Sequence, residues 1–190
     1  MNEIFSTSDK KILLKSARKA ISNKLEKEPF VFSDELKKIS YKRGVFVTLK
    51  KNKNLRGCIG NILPEKELFK GVVDNALNSA FHDPRFKPLN LDELSEIEIE
   101  ISVLTLPEKI EYQDINELKT KIIPFEHGVI LDFGYRQSTF LPSVWDELPD
   151  YEMFMSHLSI KAGFNPLDWK NLKPGVFVYK AVHFSESDLS

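Results

Sequence analysis

The segment LRGCIG at residues 55–60 holds the residue types best suited to chemistry in this sequence. Two glycines flank a cysteine and an isoleucine on a predicted strand, and glycine weakens a strand unless a bulge or the close approach of another group requires it. Strict alternation along the strand would place Arg56, Cys58 and Gly60 on one face, with the guanidinium beside the thiol. A neighbouring positive charge lowers the pKa of a thiol, as a reactive cysteine requires.

Cys58 also has a purely structural interpretation, and the two interpretations remain open. A lone cysteine is commonly a small buried apolar residue, and the flanking glycines would then form a bulge. The strongly apolar helix predicted next along the chain favours packing against this strand. We therefore expect Cys58 to be mostly buried and to react slowly with thiol reagents.

A second motif, FHDPRF at residues 81–86, follows the strongest helix pattern and combines an imidazole, a carboxylate and a guanidinium. The proline stops the helix, because a residue before proline avoids the α region. His82 and Asp83 are the acid–base candidates closest to a recognisable motif. The alternative is an ordinary helix end whose two phenylalanines anchor a loop into the core.

The two motifs together define the candidate site. For catalysis, the candidates are Cys58 as nucleophile or redox thiol and His82 or Asp83 as acid or base. For ligand binding, the candidates are Arg56, Gly57, Gly60 and Arg85. We expect Arg56 and the loop that carries Asp83 and Arg85 to lie close together, because a functional surface needs convergent polar groups.

Several common chemistries have no motif in this sequence. It lacks the glycine-rich nucleotide fingerprints and the H-E-x-x-H pattern. The four histidines are scattered, and the single cysteine has no neighbouring cysteine or histidine. The sequence therefore predicts no cofactor and no metal site.

Composition indicates a soluble protein with a sizeable core. Hydrophobic residues make up 42% of the 190 residues, enough for a core without disulfides or metals. The apolar runs are too short to span a membrane, and the start of the chain lacks a signal-peptide pattern. A single cysteine cannot form an internal disulfide, which favours a reducing compartment and makes the cytoplasm the expected location.

Charge is distributed unevenly along the chain. The net charge of −1 argues against a dedicated nucleic-acid binder. Residues 1–56 hold 15 Lys+Arg against 6 Asp+Glu, which leaves +9, and the remaining residues hold 12 against 22, which leaves −10. Either the two parts neutralise each other, which we favour, or the basic part is a patch for an acidic partner, phosphate or RNA.

Periodicity predicts the elements that position these motifs. The N-terminal helix should cover about residues 9–28. Alternating residues at 44–50 and 55–62 predict a hairpin, and the apolar spacing over 68–80 predicts a helix. Residues 95–106 form the clearest strand pattern, with isoleucines facing one way and glutamates the other.

The second half of the chain repeats this mixture of helices and strands. It predicts a helix over residues 115–122, a hairpin over 128–141, a helix over 151–162 and a last strand over 176–184. Strands and helices without a regular alternation indicate an α+β protein with a mainly antiparallel sheet. We expect one domain over residues 1–190, with a core at about 44–106 and the remaining elements at about 128–184.

Several segments are similar to one known family, the AMMECR domain. They are LRGCIG at 55–60, DPRF at 83–86, ISVLTLPE at 101–108, FLPSVWDE at 140–147 and FMSHLSIKAGF at 154–164. The resemblance covers roughly residues 10–184, and LRGCIG in this context is its most specific part. One small departure is Pro142-Ser143-Val144, where the family usually has Pro-Gln-Val.

The resemblance implies an α+β fold of a larger and a smaller subdomain, and no established reaction. It implies that the LRGCIG segment is the functional site. It also implies a shared pathway with a radical-SAM protein and a Memo-like protein, because microbial relatives often occur beside them. Fold and neighbourhood are analogies and do not specify a mechanism.

Overall fold

The computed structural model describes residues 5–189 and has an α+β fold, as predicted. The chain forms two compact units. Unit 1 contains the residues up to Leu104 together with those from Val182 onward, and unit 2 contains Thr105–Ala181. Each unit has its own four-stranded antiparallel sheet. No helix among the described residues is long and apolar enough to cross a membrane.

The described part of unit 1 contains three α-helices. They are α1 (Thr7–Glu26), α2 (Asp34–Lys37) and α3 (Leu68–Phe81). Helix α1 begins at a capping box, in which the Ser6 hydroxyl accepts from the N–H of Asp9 and the Asp9 carboxylate accepts from the N–H of Ser6. Apolar residues at helical spacing bury one face of α1 and one of α3 in the same hydrophobic cluster. The helices predicted over 9–28 and 68–80 are therefore confirmed, with small shifts at their ends.

The sheet of unit 1 is built on a hairpin of β1 (Val45–Lys51) and β2 (Asn54–Asn61). Asn52 and Lys53 connect the strands, and both have positive φ angles, of 51° and 65°. Tight two-residue hairpin turns require this conformation, and asparagine adopts it readily. The predicted hairpin is confirmed.

Two further strands complete this sheet. β3 (Ile97–Leu104) pairs with β1, and β8 (Ala181–Ser185) gives the order β2-β1-β3-β8, so β2 is an edge strand. Alternation gives the sheet two different faces. We call the face with Val45, Val47 and Leu49 the inner face, because these side chains are buried in the cluster with α1 and α3. The opposite, outer face carries mainly polar side chains.

Unit 2 contains the second sheet, in the order β4-β7-β5-β6. Its elements are β4 (Glu108–Ile110), α4 (Ile115–Lys121), β5 (Gly128–Asp132), β6 (Gln137–Phe140), α5 (Tyr151–Lys161), α6 (Asp168–Asn171) and β7 (Gly175–Tyr179). Its core forms around Trp145, Phe154 and Trp169, which are fully buried. The helices predicted at the positions of α4 and α5 and the hairpin of β5 and β6 are confirmed.

The prediction of one last strand over residues 176–184 is wrong. This stretch contains two strands, β7 and β8, which belong to different sheets. Between them, the N–H of Lys180 donates to Thr105 Oγ1 at 2.9 Å, and the Lys180 carbonyl accepts from the N–H of Thr105 at 2.8 Å. These bonds occupy the backbone of Lys180 where the strand breaks. The alternating pattern continues through the break, so periodicity alone could not reveal it.

Candidate functional site

The LRGCIG segment lies on β2, at the edge of the unit 1 sheet, where the ladder with β1 contains a bulge. Leu49 pairs with Gly57 and Lys50 pairs with Leu55, so Arg56 is an extra residue without a partner on β1. A bulge interrupts the alternation of side chains. The direction of Arg56 therefore cannot be deduced from that of its neighbours on the strand.

Arg56 forms a bidentate ion pair with Glu93. Its Nε donates to Oε1 and its Nη2 donates to Oε2, each at 2.9 Å, and Nη2 also donates to the Lys87 carbonyl at 3.0 Å. The Arg56 side chain is only 13% exposed, and its buried Nη1 has no hydrogen-bond partner among the described residues. Arg56 lowers the pKa of Glu93 to about 2. The charge of Arg56 is thus paired with Glu93, and the position of its guanidinium beside the thiol stays a prediction.

Asp83 is enclosed, with its side chain 1% exposed. Its Oδ2 accepts from the N–H of Cys58 at 2.9 Å and from Nη2 of Arg85 at 2.7 Å. Its Oδ1 accepts from Nε and from the backbone N–H of Arg85, at 2.9 Å and 3.1 Å. Arg85 is the main cause that holds the pKa of Asp83 well below its usual range. An ionised carboxylate has no proton to donate at neutral pH, so this geometry suits a positioning group better than a general acid.

Arg85 contrasts with Asp83, because 53% of its side chain is exposed. Besides its bonds to Asp83, Nη2 donates to the Cys58 carbonyl at 3.1 Å. Asp83 and Arg85 together therefore bond both backbone groups of Cys58 at the sheet edge, where another strand could otherwise pair. The Nη1 atom of Arg85 has no hydrogen-bond partner within residues 5–189.

The ring of Phe86 brings the two motifs together. The guanidinium carbon of Arg56 lies 5.8 Å from the ring centroid, and that of Arg85 lies 5.6 Å from it. Both distances are within the range of cation–π attraction. The structure thus places Arg56 close to the loop that carries Asp83 and Arg85, as expected from the sequence. We call Cys58, Asp83, Arg85 and Phe86 the edge site.

The two glycines of the segment accommodate different neighbours. A Cβ atom on Gly57 would lie 2.2 Å from the carbonyl oxygen of Ser79, so α3 packs directly against the strand there. A Cβ atom on Gly60 would lie 2.3 Å from the ring of Phe46. Both positions need glycine for packing, and their predicted contact with a ligand stays a prediction.

Cys58 is half-buried. Its thiol accepts a hydrogen bond from the Thr48 hydroxyl at 3.2 Å, and Thr48 is its paired residue on β1. This pair lies on the outer face, whereas α3 packs on the inner face. The apolar helix that was expected to cover the thiol therefore packs on the other side of the strand.

Comparisons with known proteins identify the family. The AMMECR1 family model matches residues 14–184. The chain belongs to the AMMECR1 family. Its relatives include a protein of Methanopyrus kandleri, 38% identical over 99% of this chain and 93% of that protein, and a protein of Nanoarchaeum equitans, 38% identical over 92% and 98%. The crystal structure of the uncharacterized protein PH0010 from Pyrococcus horikoshii, 34% identical, covers 92% of this chain and 89% of that chain with a TM-score of 0.84.

The remaining catalytic candidate of this AMMECR1 protein, His82, is not one of the residues of the edge site. His82 is exposed at the end of α3, where its backbone N–H donates to the Asn78 carbonyl at 2.8 Å. Within residues 5–189, no group of three or more His, Cys, Asp or Glu side chains could hold a metal ion. The edge site therefore consists of an ion pair, the backbone groups and half-buried thiol of Cys58, and the ring of Phe86.

Sequence reasoning on this AMMECR1 protein missed three residues that shape the site. Glu93 pairs with Arg56, and Thr48 contacts the thiol. The Ser79 hydroxyl accepts from the N–H of Ile59 at 2.8 Å and donates to the Val47 carbonyl at 2.7 Å, so it bridges the two strands of the hairpin. Glu93 and Ser79 lie far from LRGCIG in the sequence, and no motif connects them to it.

Proposed function

We propose that this AMMECR1-family protein binds an anionic group of a ligand or partner at the edge site, with Arg85 as the anchor. The observation that carries the proposal is that Arg85 is fixed by hydrogen bonds to Asp83 and Cys58 although 53% of its side chain is exposed. Exposed arginines ordinarily sample many rotamers, and fixing one costs conformational entropy. In this protein the hydrogen bonds to Asp83 and Cys58 already fix the Arg85 side chain, so ligand binding does not have to.

The remaining donors of Arg85 determine the kind of ligand. Asp83 and the Cys58 carbonyl occupy Nε and Nη2, which leaves the two N–H donors of Nη1 for another molecule. A rigid guanidinium recognises carboxylate and phosphate oxygens by directed hydrogen bonds. The neighbouring Phe86 ring adds an apolar surface beside this donor. We therefore expect a ligand with a carboxylate or phosphate next to an apolar or planar part.

The test is a titration followed by NMR of the ¹⁵N-labelled protein, with inorganic phosphate and succinate as probes. We expect amide shifts that cluster at residues 56–60 and 83–87. Arg85→Lys should weaken probe binding by about tenfold or more, because lysine keeps the charge but loses the planar guanidinium whose free Nη1 donors are held in place by Asp83 and Cys58. Arg43→Lys is the matched control, since Arg43 also lies in unit 1 and, among the described residues, its side chain hydrogen-bonds to the Lys42 carbonyl alone, so it should change nothing.

Two results would contradict the proposal. One is a set of shifts that is scattered over surface lysines and falls equally with added salt in every variant, as non-specific ion binding would. The other is unchanged probe affinity in Arg85→Lys while the protein remains folded. Melting curves of both variants check folding independently of binding.

The resemblance also leads us to propose partners for this surface, namely a radical-SAM protein and a Memo-like protein. Support comes from the genomic association of relatives and from an exposed Arg85 that is already ordered. Co-expression of the three proteins from one genome, followed by affinity purification, tests this proposal. Copurification that is lost in Arg85→Glu supports it, and absence of copurification with wild-type protein contradicts it.

A cytoplasmic location is also part of the proposal. The chain has one cysteine and no possible internal disulfide, which suits a reducing compartment. Cell fractionation with an antibody against this chain checks it, and recovery from an extracytoplasmic fraction would refute it.

The second candidate function is a thiol-dependent enzyme with Cys58 as nucleophile. It is favoured by the position of the thiol on the outer face, away from the helix that fills the inner face. Iodoacetamide labelling of the native protein at neutral pH distinguishes the two functions. A rate well above that of free glutathione supports the enzyme, and a slower rate supports the binding function with an inert thiol.

A further inference from the structure

A second polar cluster lies on the outer face of the unit 1 sheet. Glu100 and Ser102 are two residues apart on β3 and therefore point to the same side. The Ser102 hydroxyl lies 3.2 Å from Nδ1 of His183 on β8, and the other ring nitrogen, Nε2, faces Glu100 Oε2 at 3.8 Å. The second oxygen of Glu100, Oε1, pairs with Nζ of Lys50 at 2.5 Å. The four side chains thus form a continuous chain of polar contacts.

The order of these contacts determines what the imidazole can do. A carboxylate facing Nε2 favours the tautomer that carries its proton there, because the N–H then points at the negative charge. Nδ1 is then free of a proton and can accept from the Ser102 hydroxyl. Glu100 is enclosed, with its side chain 12% exposed, and Lys50 holds it in place from the other side. The carboxylate is therefore positioned before any substrate arrives.

We propose that Ser102 is a base-activated nucleophile that takes an acyl group from an activated carboxylic ester. His183 is the general base, and Glu100 is a positioning residue that holds the imidazole tautomer. A carboxylate, an imidazole and a hydroxyl in this order are the arrangement that serine nucleophiles use on unrelated folds. The arrangement is recognised by the roles of its atoms, and sequence order is irrelevant to it.

The reaction balances without any further reagent. Ser102 Oγ forms a bond to the ester carbonyl carbon while its proton moves to Nδ1 of His183. The imidazolium then gives this proton to the departing alcohol as the bond between that alcohol and the carbonyl carbon breaks, which leaves an acyl-serine. Water attacks the acyl-serine in the same way, which releases the acid and restores Ser102 and His183. Glu100 stabilises the transient positive charge on the ring.

This cluster is separate from the edge site. Thr48 pairs with Cys58 on one side and with Glu100 on the other, so the backbones of Cys58 and Glu100 are about two strand spacings, ~9.5 Å, apart. Cys58 therefore does not belong to the chain of contacts at His183. The inference goes beyond anion binding at Arg85, and each can fail without the other.

The experiment is labelling of the native protein with a fluorophosphonate probe, followed by mass mapping of the labelled residue. We expect the label on Ser102. Ser102→Ala should abolish labelling, and His183→Gln should slow it by about 100-fold or more, as expected when a general base is lost. Glu100→Gln should slow it less and should move the ring proton of His183 from Nε2 to Nδ1 in ¹⁵N NMR spectra, which a merely structural role would not do.

Matched controls make the outcome decisive. Ser187→Ala removes an exposed serine whose hydroxyl donates to the Glu98 carboxylate and has no imidazole partner among the described residues. This substitution should leave labelling unchanged. Cys58→Ala excludes labelling of the thiol. Melting curves confirm that every variant is folded. No label on folded wild-type protein, a label at another residue, or an equal rate in His183→Gln would each overturn the proposal.

Discussion

Asp83→Ala should destabilise unit 1 of this AMMECR1 protein by roughly 2–4 kcal/mol. The substitution removes the acceptor of the Cys58 N–H and both side-chain bonds of Arg85 to this carboxylate. A donor that loses its partner in an enclosed position costs about 1–3 kcal/mol. The ion pair with Arg85 adds only about 1 kcal/mol, because that side chain is half exposed and water can replace the carboxylate.

The assay is urea unfolding, with a separate probe for each unit. The amide ¹⁵N NMR signals of β1 and β3 report the unfolding of unit 1, whereas both tryptophans lie in unit 2 and their fluorescence reports the other. Asp92→Ala is the control, since Asp92 is an exposed aspartate of unit 1, and it should cost less than about 0.5 kcal/mol. If Asp83→Ala costs no more than this control, the reasoning on the Cys58 N–H is refuted.

Three further predictions follow from contacts around the LRGCIG strand. Gly57→Ala should lower the free energy of unfolding in urea by about 3 kcal/mol, because its Cβ would lie 2.2 Å from a backbone carbonyl of α3. Gly175→Ala is the control and should be nearly neutral, since the nearest contact of its Cβ would be 3.4 Å away. The pKa of Glu93 is lowered to about 2, so its pair with Arg56 stabilises the fold above about pH 4.3, and this stabilisation is lost as the pH falls through about 2. Glu93→Gln should therefore lower the free energy of unfolding at about pH 7 and flatten its decline between about pH 4.5 and 2. An unchanged slope would argue against the pair. Cys58→Ser should cost less than about 1 kcal/mol, since the new hydroxyl can bond to Thr48, and a larger loss on thermal unfolding would mean that this contact does not form.

Periodicity was sufficient for the elements that carry the site. The alternation of Val45, Val47 and Leu49 and the helical spacing after Leu68 predicted a hairpin and a helix, because burial of one face dictates both patterns. Periodicity was not sufficient at Arg56, where one extra residue in the ladder shifts the register. The glycines of this strand indicated a possible bulge, but its position depends on how two strands fit together and cannot be read from one strand.

The pairing of charges could not be predicted from spacing either. Arg56 and Glu93 are 37 residues apart, and their contact depends on where α3 ends and on the short 3-10 helix Asp92–Ser95 that carries Glu93. The chain offers many acidic residues, so composition does not select this one. The contact between Asp83 and Cys58, which are 25 residues apart, likewise depends on where α3 ends. What the motifs do indicate is that glycine permits close approach to the strand and that proline ends the helix, and both are needed for such contacts to form.

The edge site combines two tasks in the same hydrogen bonds. An edge strand exposes backbone groups that invite pairing with another chain, and proteins cover such edges with charged side chains. Asp83 and Arg85 do this at Cys58, and the same bonds hold the guanidinium of Arg85 in a single position at the surface. Substitution of Asp83 would therefore disturb stability and binding together and cannot separate them. Arg85→Lys can, because a lysine still neutralises Asp83 but lacks the planar guanidinium that presents the free Nη1 donors in a fixed position.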